Sequence, residues 1–405
     1  MSVPDWLIGL RDARSPLGAD FAPLVFQASG IDPDMLVARL PVLASRHEAL
    51  RLVWPDLSVD SPEAVVDAVL GVDTHGGDIS SVAAALALTG YQCAGKPLWR
   101  VRLVATVQPP QQYVVVGLDR LITDPWSLHV LAQELCLLCQ AGPLPDLGRL
   151  PAQFGTVLAD RAGGSDDSDA RTERLYWRRQ LAGANFGADP RVSRTAVTAA
   201  RIRRVPLTPD DEQAMVALAS AYRTTLLAPV VAAVHMVWRR QVDAAETVLL
   251  TEVGYRDTQE LDGAVAPLME PRPMRMVSDV HAGQLISRAR DALLDVLDNS
   301  CVPLATDPAP MQLFFDHPDR MTVLAEFDTP NRPAVSDSAL NLLDQPSIWA
   351  LGPPRADVHV MVRGEHQAPS VYLADNPLAV TDQFADEFAY GLVSALREMK
   401  SDIDA

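Results

Sequence analysis

The chain has 405 residues, too many for one typical core, and a scale of roughly 150 residues per domain points to two large lobes. Apolar residues make up 48% and charged residues 21%, which excludes global disorder and supplies ample core material. The formal charge of −18, from 34 basic against 52 acidic residues, repels nucleic acid and anionic membrane, so neither is an expected partner.

The first residues, "MSVPDWLIGLRDARSP", show no basic region followed by an apolar core, and no uninterrupted apolar run is long enough to span a bilayer. A cytoplasmic location is expected. Four cysteines are few for this length and are expected to stay reduced. Cys136 and Cys139 form a C-x-x-C, but with no second ligand pair and with helical apolar spacing around them they read as packed helix residues.

In chain order, residues 33–50 carry apolar side chains at three- and four-residue intervals and predict an amphipathic helix, followed by a strand at "LRLVW". Helical spacing recurs at 62–70 and 80–90. "LWRVRLVAT" and "QQYVVVGL" predict two strands joined around Pro109-Pro110, and a helix from about Ser127 closes the unit. Residues 163–170, "GGSDDSDA", are the linker candidate, and "RTERLYWRRQLAG" predicts a helix that packs Leu175, Trp177 and Leu181 while Arg178 and Arg179 face water. Further helices are predicted at "PDDEQAMVALASAY", "TLLAPVVAAVHMVWRRQ", "GQLISRARDALLDVLDN" and from about Thr381 onward. Strands are predicted at "ETVLLTEVGY", "MQLFFDH", "MTVLAEF", "ADVHVMVRG" and "PSVYLAD". This alternation predicts two related α/β sandwiches facing each other across a cleft: a lobe at 1–162, a linker and junction helix at 163–190, and a lobe at 191–405.

Several segments in order resemble the condensation domains of nonribosomal peptide synthetases, which share the chloramphenicol acetyltransferase type of fold. "SRHEALRLVW", "KPLWRVRLV", "YWRRQLAGA", "TTLLAPVVAAVHMVWRRQVDAAETVLLTEVGYR", "LDNSCVPLA" and the last helix each match a family block. The resemblance implies an α/β chain of two chloramphenicol-acetyltransferase-like two-layer lobes, a V-shaped pseudo-dimer with a central cleft. It also implies a partner, an acyl or peptidyl carrier protein or synthetase module that presents substrate on its phosphopantetheine arm, with no cofactor bound by the chain itself.

The family signature is His-His-x-x-x-Asp-Gly, in which the second His assists the attacking amine and the Asp is mainly structural. Aligned on "DRLITDPWSL", the two histidines fall on Asp119 and Arg120, the Asp is kept as Asp124, and the Gly becomes Pro125. A general base needs a pKa near working pH, which imidazole supplies and guanidinium does not. Arg120 therefore cannot replace the family His as a base, although it can donate hydrogen bonds to a carbonyl or oxyanion. Asp119 would need burial to become a base, and the guanidinium beside it acts the other way. The plain structural alternative is an Arg120 to Asp124 ion pair at the strand-helix junction, with Asp124 and Pro125 starting the helix.

A second departure lies at 265–276, "VAPLMEPRPMRM", where the family carries a Gly-x-Phe-x-Asn-Thr-Leu-Pro loop that crosses between lobes. Pro267 stands where an aromatic is usual, Glu270 and Pro271 replace Asn-Thr, and prolines stiffen the stretch and remove donors. Pro125, Trp126, Ser127, Pro267 and Glu270 are thus the expected walls of a reshaped substrate tunnel. The usual Ser-x-x-Gln block is absent from the start of the chain, with "PDWLIGL" as its remnant.

Among the histidines, His47 belongs to a structural block, while His129 and His235 are the candidates for a displaced base; His281, His317, His359 and His366 show no metal-site spacing. No phosphate loop, Gly-x-Ser-x-Gly elbow or His-Glu-x-x-His occurs. Arg178-Arg179, Arg201 to Arg204 and Arg239-Arg240 are basic clusters in an acidic chain, and the first is the candidate dock for an acidic carrier protein. Two functions follow from the resemblance. One is a free-standing condensation-like protein that transfers the acyl group of a carrier-tethered aminoacyl or peptidyl thioester, forming an amide bond without the usual His. The other is a non-catalytic platform that recruits a tailoring enzyme, such as a haem mono-oxygenase, to a carrier-bound peptide.

Overall fold

The computed structural model of the protein describes residues 21–76, 79–88, 95–163, 167–184, 200–242, 246–277, 282–304, 311, 321–328, 335, 337–343, 356–364 and 369–404. They form two compact units. The first takes Met1–Gly164, Gly254–Met269 and Asn331–Pro353; the second takes Ser165–Val253, Glu270–Pro330 and Pro354–Ala405. Where the sequence reading treats 191–405 as one lobe, two of its stretches pack with the first unit instead. Part of the expected linker, Asp167–Ala170, is helical, and residues 164–166 lie outside the described residues, as do "MQLFFDH" beyond Met311 and the "PDWLIGL" remnant.

The first unit is organised by strand β7 (Pro110–Asp119). It pairs antiparallel with β1 (Phe21–Ala28) on one side and β6 (Trp99–Val107) on the other. Strand β4 (Leu70–His75) adds parallel to β6, and β12 (Leu340–Leu342) adds antiparallel to β1, giving the order β12-β1-β7-β6-β4. Val114, Val116 and Leu118 join the main core, while Val115 joins a smaller one with Ile79 and Ala83. Burial on both faces explains why β7 reads as an unbroken apolar run rather than an alternation. The sequence reading passes over β1, whose Pro23 interrupts the pattern, and β12, which is three residues long.

Helices of this unit start where a side chain can take an orphan amide. Asp32 accepts from Met35 N at 2.7 Å to open α1 (Pro33–Arg46), and Ser61 accepts from Ala64 N at 3.2 Å to open α2 (Pro62–Val69). Helix α3 (Ile79–Leu88) supplies the smaller core, and α4 (Pro125–Leu138) lays Leu131, Leu135 and Leu138 on the main one. Helix α5 (Phe154–Gly163) adds Phe154 and Val157. A small sheet of β2 (Leu52–Trp54), β3 (Ser58–Val59) and β5 (Lys96–Pro97) completes the unit among the described residues.

The second unit begins with α6 (Asp167–Leu181), followed by β8 (Arg201–Arg204), α7 (Pro209–Ala221), α8 (Leu227–Val242) and β9 (Glu246–Gly254). Strand β10 (Met269–Val277), helix α9 (Ala282–Asp298), β11 (Val323–Asp328), β13 (Val358–Arg363), β14 (Ser370–Asp375) and α10 (Asp382–Asp404) complete it. The strand order is β10-β9-β11-β13-β14-β8, with β11 parallel to both β9 and β13. The proline-rich stretch expected as a loop is thus largely a strand. Pro271 and Pro273 fit because β10 is at the edge of the sheet, where a missing donor leaves no ladder partner unbonded. Arg201 to Arg204 form the opposite edge, and Arg201 and Arg203 pair with Asp375 and Asp382 rather than presenting free charge. Leu175, expected to pack, is 46% exposed, whereas Trp177 and Leu181 are buried.

Helix α7 opens on a capping box in which Thr208 and Asp211 exchange hydrogen bonds, and Asp211 also takes Arg397 of α10 at 2.7 Å. Hydrogen bonding from Arg397, helped by Thr208 and opposed by burial, lowers the Asp211 carboxyl to about 2. A lowered folded-state pKa contributes stability above the unfolded value of about 4, and that contribution is lost as pH falls towards 2. Replacing Arg397 by Met is expected to lower the urea midpoint at pH 7, with the gap to the parent closing between about pH 4 and pH 2.5.

Candidate functional site

The residues at the degenerate signature occupy the turn from β7 into α4. Asp119 ends the strand, and its amide donates to Leu98 O at 2.9 Å. The Asp119 carboxylate then bends back to accept Leu121 N at 2.9 Å, and its carbonyl accepts Ile122 N at 3.1 Å and the Thr123 hydroxyl at 3.0 Å. Asp119 is only 1% exposed. Its carboxylate therefore shapes the turn, the local hydrogen bonding for which aspartate is suited. Arg120 follows in the turn and is half-buried.

Asp124 caps α4. Its backbone is extended, with φ −128 and ψ 175, and its Oδ1 accepts Ser127 N at 2.6 Å, while Pro125 takes the first helical position. The cation at this carboxylate is Arg256 rather than the Arg120 suggested by proximity in sequence. Arg256 Nη2 reaches Asp124 Oδ1 at 3.0 Å and Oδ2 at 3.1 Å, and the Ser127 hydroxyl at 3.0 Å. Its Nη1 donates to Leu261 O and, at 2.9 Å, to Ala264 O. Leu268 N completes the arrangement by donating to Asp124 Oδ2 at 3.0 Å.

The same network draws Pro267 to the start of α4. Ser127 Oγ donates to Ala266 O at 3.0 Å and accepts Ala266 N at 3.1 Å, one residue before it. Ser127 is fully buried, so its hydroxyl is occupied in fixing this connection. Trp126 is 38% exposed and donates from Nε1 to Asp262 O at 2.8 Å. His129 meets its ring edge-on, with centroids 6.3 Å apart. The structure thus gathers Asp119, Arg120, Asp124, Pro125, Trp126, Ser127 and Pro267 in the first unit.

Glu270 belongs to the second unit and is buried there. Arg272 pairs with its carboxylate at 3.0 Å, and Leu304 N donates to it at 2.9 Å. Arg178 and Arg179 are exposed near the end of α6 in that same unit. Elsewhere in the first unit, His47 Nε2 lies 2.7 Å from Glu134, with Arg46 at 2.8 Å from the same carboxylate. Burial pushes the Glu134 carboxyl up, but bonds from His47 and Arg46 outweigh it and leave it below the usual range. Cys136 ends up in α4 and Cys139 caps it; burial pushes their thiols up to about 11 and about 12, away from nucleophilic or metal-binding character at neutral pH. Among the described residues no group of three or more His, Cys, Asp or Glu side chains is arranged to hold a metal ion, and no helix is long and apolar enough to cross a membrane.

The Condensation domain profile matches residues 21–306. The chain belongs to the condensation-domain family. This condensation-domain protein is 25% identical over 299 residues to "Nonribosomal peptide synthetase kk1B" of Curvularia clavata, covering 69% of this chain but only 2% of that much longer protein. Its fold is the chloramphenicol-acetyltransferase-like α/β fold of the family. It matches the X-domain from teicoplanin biosynthesis with a TM-score of 0.81 at 18% identity, covering 99% of this chain and 95% of that one. It also matches the first condensation domain of the CDA synthetase with a TM-score of 0.74 at 15% identity, covering 100% and 96%. The X-domain has also been solved in complex with OxyB, and that structure matches with a TM-score of 0.78 at 17% identity, covering 99% and 93%.

Arg256 escaped the sequence reading because its partner lies 132 residues earlier. The available signal was "GYRD", a charged pair directly after a buried strand, inside a segment already matched to the family. His235, a candidate displaced base, is fully buried, with Nδ1 at 2.7 Å from Thr247 Oγ1; desolvation, with Arg239 adding to it, lowers its pKa to about 4. It stays neutral at working pH but lies inside the packing of α8 on β9, a structural position.

Two expected outcomes follow. Asp124→Ala leaves the Arg256 guanidinium buried without its carboxylate and should cost about 3–5 kcal/mol in urea unfolding, while Asp124→Asn, which keeps a capping oxygen, should cost less. His235 has a folded pKa below its unfolded value of 6.5, so its contribution is complete above about pH 6.5 and is lost as pH falls towards 4, by about 3 kcal/mol. In His235→Leu the slope of stability against pH across that window should flatten.

Proposed function

We propose that this condensation-domain protein handles aminoacyl or peptidyl thioesters presented on the phosphopantetheine arm of a carrier protein, and transfers the acyl group without an imidazole at its signature. The observation that carries this reading is the division within the β7–α4 turn. Asp124, Arg256, Ser127 and Leu268 hold the helix start through a shared set of hydrogen bonds, while Arg120 and the turn-bound Asp119 stand where the family has its histidines. Such a scaffold keeps the site's shape and changes its chemistry. In this reading Arg120 donates to the developing oxyanion, and the acceptor amine arrives neutral and is positioned rather than deprotonated at the signature. Pro125, Trp126 and Pro267 stiffen the wall of the arm's path, and exposed Arg178 and Arg179 offer charge to an acidic carrier protein.

A second reading has its own support. Asp119 Oδ1 is held by Leu121 N and a guanidinium cannot accept a proton, so the two signature positions offer no imidazole base. That favours a binding platform for a carrier-bound peptide that recruits a tailoring enzyme, the kind of assembly represented by the X-domain complex with OxyB.

Carrier proteins loaded with donor and acceptor, followed by intact mass, separate the two. Acyl transfer that falls at least tenfold in Arg120→Ala and recovers in part in Arg120→Lys is the result expected of electrostatic assistance. Tight carrier binding without transfer, unchanged by Arg120→Ala, would establish the platform instead.

A further inference from the structure

The first unit's sheet is bordered by β12, three residues long, and by β4, which runs from Leu70 to His75 without a proline or a lysine. Strand β4 gives one side of its backbone to β6. From Gly71 to His75 no backbone hydrogen bond reaches the other side among the described residues. Val72 is 59% exposed on this border, and Asp73 and Thr74 beside it are exposed as well. A bare strand border of this length is a place where a further strand adds, main chain to main chain.

The border also holds a cation in place. Arg102 of β6 is the register partner of Gly71, and its guanidinium lies across that glycine: a Cβ at Gly71 would stand 2.7 Å from Arg102 Nη1 and 2.9 Å from Cζ. Arg102 Nη1 donates to Val69 O and to Val101 O at 3.1 Å each, so its position is fixed by backbone. Its one printed carboxylate neighbour, Asp73 Oδ2, is 3.4 Å from Nε, and the two side chains are 31% and 52% exposed, a loose surface pair. A glycine inside a strand often marks a close approach by another backbone. Here it leaves room for a guanidinium on the very residue that a neighbouring strand would face.

We propose that β4 pairs antiparallel with β4 of a second copy of this chain about a two-fold axis beside Val72, so that two five-stranded sheets run on as one. Such a pairing uses one patch on both copies. Residues directly opposite in an antiparallel pair point to the same face, so one residue of β4 must face itself at the axis. Gly71 or Thr74 there would leave only three residues of strand overlapping, whereas Val72 or Asp73 gives five. Asp73 at the axis would set two carboxylates against each other, a destabilising pair. Val72 at the axis is complementary throughout. The two valines cover each other, Thr74 meets Leu70, and Asp73 of each copy stands opposite Gly71 of the other, where the Arg102 guanidinium lies. The charge of −18 on each copy opposes the approach and the border is short, so the pair forms weakly and in proportion to concentration.

Sedimentation velocity of the full chain over a series of protein concentrations should show a monomer in equilibrium with a dimer. Val72→Lys, which brings two ammonium groups to the axis, should sediment as a monomer throughout, with parental circular dichroism and melting. Asp73→Arg should weaken association by about tenfold or more through like charges at Arg102, and Asp73→Arg combined with Arg102→Asp should recover part of it. Because Arg102 also bonds carbonyls of its own chain, the register is checked independently of it. In a chain carrying Cys93→Ser and Cys301→Ser, Val72→Cys should yield a covalent dimer on oxidation with copper–phenanthroline, and Thr74→Cys should not, since its thiols would stand too far apart. A parent that is monomeric at every concentration, a dimer indifferent to Val72→Lys, or cross-linking through Thr74 in place of Val72 would each overturn the pairing. A monomeric parent whose border instead binds a fluorescent peptide of alternating valine and lysine, and loses it in Val72→Lys, would give the border to a foreign strand and overturn the second copy as its occupant.

Discussion

The Asp124 carboxylate is the interaction on which the first unit's site depends. It caps α4 through Ser127 N, binds Arg256 through both oxygens, and accepts Leu268 N from a segment that is remote in sequence. A single carboxylate accepting four hydrogen bonds from three donors fixes three pieces of chain: the end of the β7 turn, the first turn of α4 and the 256–268 connection. Charge-assisted bonds of this kind are short and directional, and a buried guanidinium tolerates little rearrangement once its acceptor is set. Arg256 extends the order outward through Leu261 O and Ala264 O.

That arrangement separates support from chemistry. Asp124 makes the bonds that hold the helix start, while Asp119 and Arg120, earlier in the same turn, are a turn-forming carboxylate and a half-buried guanidinium. A fold under no demand at this place would have little reason to keep a buried ion pair, which stabilises less than well-packed apolar residues often do.

Much of this was legible in the sequence. Helix starts at Pro33, Pro62, Pro125 and Pro209 follow a capping residue and a first-turn proline, local signals that tertiary context rarely overrides. The strands at Trp99–Val107 and Pro110–Asp119 came from apolar run length and the prolines between them. What was missed is non-local. Pairing of Asp124 with Arg256 depends on the connection after β9 folding onto the first unit, and local periodicity carries no trace of that. The stretch at 265–276 is read as a loop by its place in the family pattern, yet its prolines suit an edge strand, which has one side free of ladder bonds.

The prolines of β10 bear on something other than the site. A six-stranded sheet ends in two open ladders, and an open ladder is a template on which a second chain can add a strand. At one end of the second unit's sheet, Pro271 and Pro273 withhold amide donors from such a neighbour; at the other, β8 is only four residues long and its arginines are tied to Asp375, Asp382 and Glu212. Each border is thus guarded in a different way, one by missing hydrogen-bond donors and one by brevity. Both devices disfavour polymerisation through this sheet.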